Sequence, residues 1–144
     1  MPRAVLDANV YVSAVLSSSG APGRVIDAFL RGESFALVMS AAIVDEVIRA
    51  LSYPKVRKLI HASVDPEAWF EDLVVLADMV ESRPLPSPVC TGPDDDKYLA
   101  AAIEGRCEFV VSGDGGLLAV REHVGVRIMT PRAFIDLLQS RRTG

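Results

Sequence analysis

Short, mostly apolar runs alternate with segments of helical periodicity along this 144-residue chain. The runs lie at residues 4–6, 35–39, 109–111 and 126–129. Because Gly, Ser or charged residues bound them, they fit buried strands of a parallel sheet. Strands that alternate with helices predict an α/β fold, so we expect a three-layer α/β/α sandwich around a central parallel sheet.

The segments between these runs carry helix signals. Predicted helices cover residues 23–30, 41–51, 94–104 and 117–120, and further helices open at Asp65-Pro66 and Thr130-Pro131. The stretch 83–93 contains four prolines. We expect it to be an extended connection within one domain, because neither flank could fold alone. The chain is therefore predicted to form a single domain over residues 1–144.

Two aspartates follow predicted strands. Asp7 comes directly after the run 4–6, and Asp114 comes shortly after the run 109–111. In an open α/β sheet, functional side chains collect beyond the carboxyl ends of the strands, so both carboxylates are expected at one edge. The alternative for each is a turn or cap aspartate, and the glycines around Asp114 favour that alternative there.

Glu46 differs from its neighbour Asp45 in the direction that the helix pattern assigns to it. Asp45 lies four residues before Arg49 and can pair with it on a solvent face. Glu46 flanks the apolar stripe beside Ile43 and Ala50, so we expect it to point towards the interior edge. A carboxylate at such a place usually has a partner, and a glutamate that snorkels from the stripe boundary is an equal alternative.

The acidic run at residues 94–96 opens a predicted helix. Asp96 shares the inward face of the apolar residues that follow it by three, four and seven positions, whereas Asp94 is better placed as the helix cap. The helix dipole also favours an ionised carboxylate in the first turn. We therefore predict that Asp96 is the ligand of this run. The alternative is three acids that decorate a helix N-terminus.

These acids would form an all-oxygen cluster if the fold brings them together. The predicted set is Asp7, Glu46, Asp96 and Asp114. Such a cluster is costly to assemble unless a cation holds it. Oxygen ligands favour a hard divalent ion, Mg²⁺ or Mn²⁺, since no cluster of histidines or cysteines offers softer donors. The chemistry that suits an all-carboxylate site is phosphodiester hydrolysis.

The formal net charge of −4 argues against a protein that coats nucleic acid through a general basic field. A nuclease is not excluded, because acids gathered at a metal site lower the net charge while arginines and lysines elsewhere still contact phosphates. The N-terminal apolar stretch is short and is interrupted by Asp7, so it fits neither a signal peptide nor a membrane span. We expect a cytoplasmic protein without membrane association.

In order and spacing, the acidic residues resemble those of PIN-domain ribonucleases. The likeness covers nearly the whole chain and is strongest at VLDANVYVSA (5–14), SAAIVDEVIRAL (40–51), PDDDKYLAAAI (93–103) and VVSGDGGLL (110–118). By this resemblance the family's acidic site falls on Asp7, Glu46, Asp96 and Asp114. Asn9 and Ser112 match polar positions that support the site in relatives, so hydrogen bonds from them are expected.

The resemblance implies a metal-dependent endoribonuclease that cuts RNA. Many small bacterial members of similar length are VapC-like toxins, which are inhibited by a partner antitoxin and often dimerise. The likeness therefore also implies a toxin role, a cognate antitoxin and a homodimer. Many relatives have a further acid two residues after the last aspartate, where this chain has Gly116. That departure leaves a second metal ion, and full catalytic competence, open.

Two other classes of function remain compatible with the sequence. The chain could be a non-catalytic module that keeps the fold and regulates a partner, which the acidic composition and Gly116 allow. It could also be a phosphohydrolase or receiver-like domain with Asp7 as phosphoacceptor. The dehalogenase-type pattern usually needs a second aspartate two residues on, and this chain has Asn9 there, which disfavours that reading.

Overall fold

The computed structural model describes residues 1–32 and 34–143. In this part of the chain the strands are β1 (Arg3–Leu6), β2 (Ala36–Met39), β3 (Asp78–Met79), β4 (Phe109–Val111), β5 (Glu122–His123) and β6 (Val126–Met129). The helices are α1 (Ala8–Leu16), α2 (Ala21–Leu30), α3 (Ala41–Ser52), α4 (Pro54–Arg57), α5 (Pro66–Leu76), α6 (Asp96–Glu104), α7 (Gly115–Leu118) and α8 (Pro131–Thr143). A 3₁₀ turn, Pro93–Asp95, leads directly into α6.

The strands form one sheet in the order β3-β2-β1-β4-β6-β5. Neighbouring strands are parallel except β5 and β6, which are antiparallel. β1 lies between β2 and β4, with Val5 opposite Val38 on one side and Val110 on the other. Helices flank the sheet, so the predicted three-layer α/β/α architecture is confirmed. The antiparallel edge strand is a feature that the sequence did not indicate.

The central strands are buried because helices cover the sheet. Val5, Val38 and Val110 have no exposed surface. Phe134 of α8 contacts the rings of Phe35 and Phe109, with centroid distances of 5.0 and 5.8 Å. Burial of one such aromatic side chain contributes about 1.5–3 kcal/mol, so these contacts fix the last helix firmly to the sheet.

The helix α1 was not anticipated from the sequence. Its segment ANVYVSAVL is apolar on several sides, and Ala8, Val10, Tyr11 and Ala14 are all buried. A helix that packs against α2 and α3 at once has little polar face, so its periodicity is weak. The proline-rich stretch 83–93 has no regular element before the 3₁₀ turn, and its chain bends at residues 86–87 and 90–92. In the described residues, no helix has the length and apolar character needed to cross a bilayer.

Gly23 allows α2 to begin very close to the chain that leaves α1. A Cβ atom at Gly23 would lie 2.5 Å from the carbonyl oxygen of Ser18. We therefore expect Gly23→Ala to lower the free energy of unfolding by about 1–3 kcal/mol, because rigid backbone would have to move. Urea denaturation followed by circular dichroism measures this loss.

Gly113→Ala is the control for this substitution. A Cβ atom at Gly113 would meet nothing within 4 Å, so its unfolding free energy should change by about 0.5 kcal/mol or less. Equal urea midpoints for the two variants would show that the close approach at Gly23 does not constrain the fold.

Candidate metal centre

Asp7 is held at the carboxyl edge of the sheet by both backbone and side chain. It follows β1 directly and caps the N-terminus of α1. Its N–H donates to the carbonyl of Val111, the last residue of β4, at 3.0 Å. The pairing of β1 with β4 therefore continues to Asp7 itself. Because Asp7 is only 5% exposed, its carboxylate is an inner group of this edge.

Ser112 connects the two aspartates that follow the strands. Its hydroxyl donates to Asp7 Oδ2 at 2.6 Å and accepts the N–H of Asp114 at 2.9 Å. Asp114 caps α7, where its Oδ2 accepts the N–H of Leu117 at 3.0 Å. Asp114 thus has the cap role that its glycine-rich turn suggested, and it shares the Ser112 hydroxyl with Asp7. Ser112 itself is fully buried, so the connection is shielded from water.

Burial raises the pKa of Asp7 above its usual value. The hydrogen bonds from Ser112 and from the Asn9 N–H oppose this shift, and the nearby charge of Glu46 adds to it. The Asn9 N–H reaches Asp7 Oδ1 at 3.3 Å. Asn9 therefore supports Asp7 through its main chain, whereas its side chain is on the exposed surface.

Glu46 reaches the same edge from α3. Its Oε2 accepts a hydrogen bond from the Tyr98 hydroxyl and lies 2.8 Å from Lys97 Nζ. The Tyr98 hydroxyl also accepts the N–H of Ala8 at 3.2 Å, which links Glu46 to the start of α1. Glu46 therefore points inward, as its place on the flank of the apolar stripe suggested, and is held by two residues of α6.

Tyr98 and Lys97 are neighbours of Glu46 that the sequence analysis missed. Tyr98 is only 1% exposed, and a buried tyrosine hydroxyl nearly always has a polar partner. A tyrosine inside an otherwise apolar helix face was therefore an available signal for a polar site. No comparable signal existed for Lys97, because a lysine in a first helical turn is ordinary on a solvent face.

The acidic run places Asp95, rather than Asp96, among the other acids. The pKa of Asp95 is raised to about 6 by burial, by repulsion from Asp114 and Asp7, by a hydrogen bond with Asp114 and by repulsion from Glu46. Asp96 instead accepts the N–H groups of Cys90 at 2.8 Å and Val89 at 3.1 Å, one on each oxygen. Although desolvation opposes them, hydrogen bonds from Cys90 and Val89 lower the pKa of Asp96.

Because of this geometry we propose Asp95, and not Asp96, as the metal ligand. The sequence prediction differed because it misjudged which face of α6 is turned towards the interior. Residues three, four and seven positions after Asp95 are Tyr98, Leu99 and Ala102, which are 1%, 0% and 0% exposed. The corresponding stripe after Asp96 ends at Ile103, which is 38% exposed. The alanine run at 100–102 offers no contrast between faces, so the sequence placed the inward stripe one residue too late.

The carboxylate oxygens at this edge are donors that suit a hard cation, but their present positions do not form a complete ligand set. In the ranges 1–32 and 34–143, no three acids, histidines or cysteines lie close enough to hold an ion as the side chains stand. Ser112, Tyr98 and Lys97 occupy inner carboxylate oxygens instead. A divalent ion fits the donor type, since it would replace the lysine charge and stabilise the ionised forms of Asp7 and Asp95, whose pKa values are raised by burial and, to a smaller extent, by neighbouring charges.

The chain belongs to the PIN domain family. Residues 3–115 match the family model described as PIN domain, a range that includes every acid of this edge. The chain is also similar to the uncharacterized protein MJ1680 of Methanocaldococcus jannaschii, with 25% identity over 145 residues, 93% of this chain and 90% of the relative. PIN domains are generally nucleases, and they usually use divalent metal ions.

Substitution of the two neighbouring aspartates should have opposite effects. Asp95→Asn removes a repelled charge, so we expect the metal-free protein to become more stable and Mn²⁺ affinity to fall by about tenfold or more. Asp96→Asn turns one acceptor into an NH₂ donor that faces a backbone N–H. We expect it to cost about 1 kcal/mol or more of stability and to leave Mn²⁺ affinity nearly unchanged.

Urea denaturation without metal and calorimetric titration with Mn²⁺ measure both quantities for both variants. If Asp96→Asn abolished Mn²⁺ binding while Asp95→Asn retained it, the ligand would be Asp96 after all.

Proposed function

We propose that this chain is an endoribonuclease that uses Mg²⁺ or Mn²⁺ to hydrolyse phosphodiester bonds in RNA. The observation that carries the proposal is the placement of acids from separate elements at the carboxyl edge of the sheet. Ser112 links Asp7 to Asp114, and Tyr98 links Glu46 to the start of α1. Acids gathered at one sheet edge repel one another, and such arrangements are typical of functional sites. Membership of a family of nucleases supports the same reaction class.

The proposed ligands come from four different places in the fold. They are Asp7 after β1, Glu46 on α3, Asp95 before α6 and Asp114 after β4. When bound, the metal would polarise the phosphate, lower the pKa of a water molecule and stabilise the leaving oxygen. The chain's own residues orient these carboxylates: Ser112 donates to Asp7, and Tyr98 donates to Glu46. Such supporting hydrogen bonds fix the direction of each ligand.

Lys97 could exchange its ion pair with Glu46 for one with the RNA backbone if a cation neutralised Glu46. Its Nζ is paired with Glu46 in the metal-free site, and its side chain remains 22% exposed. The released ammonium can then bind a phosphate oxygen of the substrate, because it needs a new anionic partner. Lys97 therefore helps to position the RNA backbone in the proposed enzyme.

We propose one metal ion per chain. A Cβ atom at Gly116 would lie 3.1 Å from Asp114 Oδ2 and 3.4 Å from Thr91 Oγ1. An acidic side chain at that position would thus join the cluster and supply ligands for a second ion. With glycine there, the proposed ligands are the four acids alone.

The cleavage activity should depend on metal and on Asp7. We expect purified protein to cut single-stranded RNA with Mg²⁺ or Mn²⁺ and to stop when a chelator is added. Asp7→Asn should lower the rate by roughly a hundredfold or more, since an amide does not supply the charge that holds the ion. Gel analysis of labelled RNA fragments measures both effects.

Asp72→Asn is the matched control, because Asp72 is an exposed aspartate on α5. This variant should cut RNA as fast as the wild type does. If Asp7→Asn cut as fast as Asp72→Asn, the proposal would fail. Calorimetric titration separates the enzyme from a non-catalytic PIN-fold regulator: the enzyme binds about one Mn²⁺ per chain, whereas no binding at millimolar concentration would favour the regulator.

The toxin role is a narrower proposal that rests on the sequence resemblance alone. It assigns the chain to the cytoplasm, with a cognate antitoxin and a homodimeric state. Expression in a bacterial host should then arrest growth, Asp7→Asn should not, and light scattering should give twice the monomer mass. Normal growth during wild-type expression would remove the toxin role and leave the ribonuclease proposal in place.

A further inference from the structure

A groove of about 480 Å³ opens beside the proposed metal site. The proline-rich segment forms one wall, and α3 and α6 form the other. Its mostly apolar lining includes Ala42, Pro84, Leu85, Pro86 and Ala100. The proposed cleavage reaction makes no use of this groove, and apolar side chains that border an open groove are available to cover an apolar ligand.

The groove and the acidic cluster share a boundary. Ala42 lies four residues before Glu46 on α3, so their side chains are on the same face, with Cβ atoms about 5–6 Å apart. Lys97 lines the groove and is also the residue that pairs with Glu46 at 2.8 Å. A ligand in the groove would therefore lie next to the phosphodiester bond that the proposed metal site hydrolyses.

The polar groups of the groove suit a phosphate-linked ligand. Arg83 is exposed at one part of the lining, and the Lys97 ammonium is at the part nearest the acids. The acid in the lining, Asp96, has an N–H group on each of its oxygens and so is already satisfied. Apolar walls fit the face of a base, while the two cations fit the flanking phosphates, and an arginine plane can also stack on a base.

We propose that this groove binds the base of the ribonucleotide next to the cleaved phosphodiester bond and thereby sets the base preference of cleavage. The inference rests on the proposed ribonuclease function and adds a specificity subsite to it. Its volume of about 480 Å³ lies within the range of about 300–1,000 Å³ that is usual for small-ligand pockets. The volume together with the cations Arg83 and Lys97 at its border favours one nucleotide as the occupant.

The wall of the groove is fixed before any ligand binds. Pro84, Pro86 and Pro88 restrict the backbone of the segment. Asp96 ties the end of the same segment to α6 through the N–H groups of Val89 and Cys90. A groove with rigid walls loses little conformational entropy on binding, so it can discriminate between bases by shape.

Two adjacent alanines provide the test. Ala41 and Ala42 are both exposed in the first turn of α3, but Ala42 lines the groove and Ala41 is outside the set of lining residues. Ala42→Phe should fill the groove, raise KM for single-stranded RNA by about tenfold and flatten the base preference next to the cut, because one stacked base is lost. Ala41→Phe should keep the wild-type KM and cleavage pattern.

Cleavage of a randomised RNA pool, followed by sequencing of the fragment ends, measures the base preference. Thermal unfolding of both variants checks that each is folded. Arg83→Gln gives a second measurement without a bulky side chain: it should raise KM, whereas Arg132→Gln, on the exposed surface of α8, should not.

The possible failures can be told apart. No cleavage by the wild type would overturn the ribonuclease function and the subsite together. Active enzymes with the same KM and base preference in Ala42→Phe and Ala41→Phe would overturn the subsite alone. If Ala42→Phe left cleavage unchanged but blocked binding of a purified protein partner, the groove would be a protein-binding surface, and the nucleotide assignment would be wrong.

Discussion

The parallel pairing of β1 with a strand on each side is the constraint on which the rest of the molecule depends. Parallel strands end at the same edge, so the residues that follow β1, β2 and β4 are neighbours although they are far apart in the sequence. Asp7 and Ser112 follow two of these strands directly, and α3, which carries Glu46, begins after the third. The strand order of the sheet therefore brings Asp7, Glu46 and Ser112 to one edge.

Assembly of these acids is opposed by their charge. Like charges repel one another, and the repulsion is stronger where burial removes water from between them. The fold limits this cost with donors from three elements: the Ser112 hydroxyl after β4, the Tyr98 hydroxyl and the Lys97 ammonium on α6. Burial, with a contribution from the neighbouring charges, still raises the pKa values of Asp7 and Asp95.

Sequence patterns predicted the features that depend on local periodicity or on strand ends. The strands β1, β2, β4 and β6, the helix α3 with its inward Glu46, and the edge positions of Asp7 and Asp114 are examples. Features set by tertiary contact were missed. The helix α1 is buried on several sides, the two-residue strands β3 and β5 exist through pairing with longer strands, and the alanines of α6 conceal its rotation. Because of that rotation, we propose Asp95 as the metal ligand in place of Asp96.

The carboxylate of Asp96 connects the proline-rich segment to helix α6. It holds the end of the proline-rich segment against the helix that begins beside the acidic cluster. Leu85 and Val89 of the same segment pack against the hydrophobic core, and Cys90 is buried in it. Pro84, Leu85 and Pro86 line the groove and are separate from the acids of the sheet edge. Substitutions in this segment would therefore alter the proposed base preference and leave the proposed metal ligands in place.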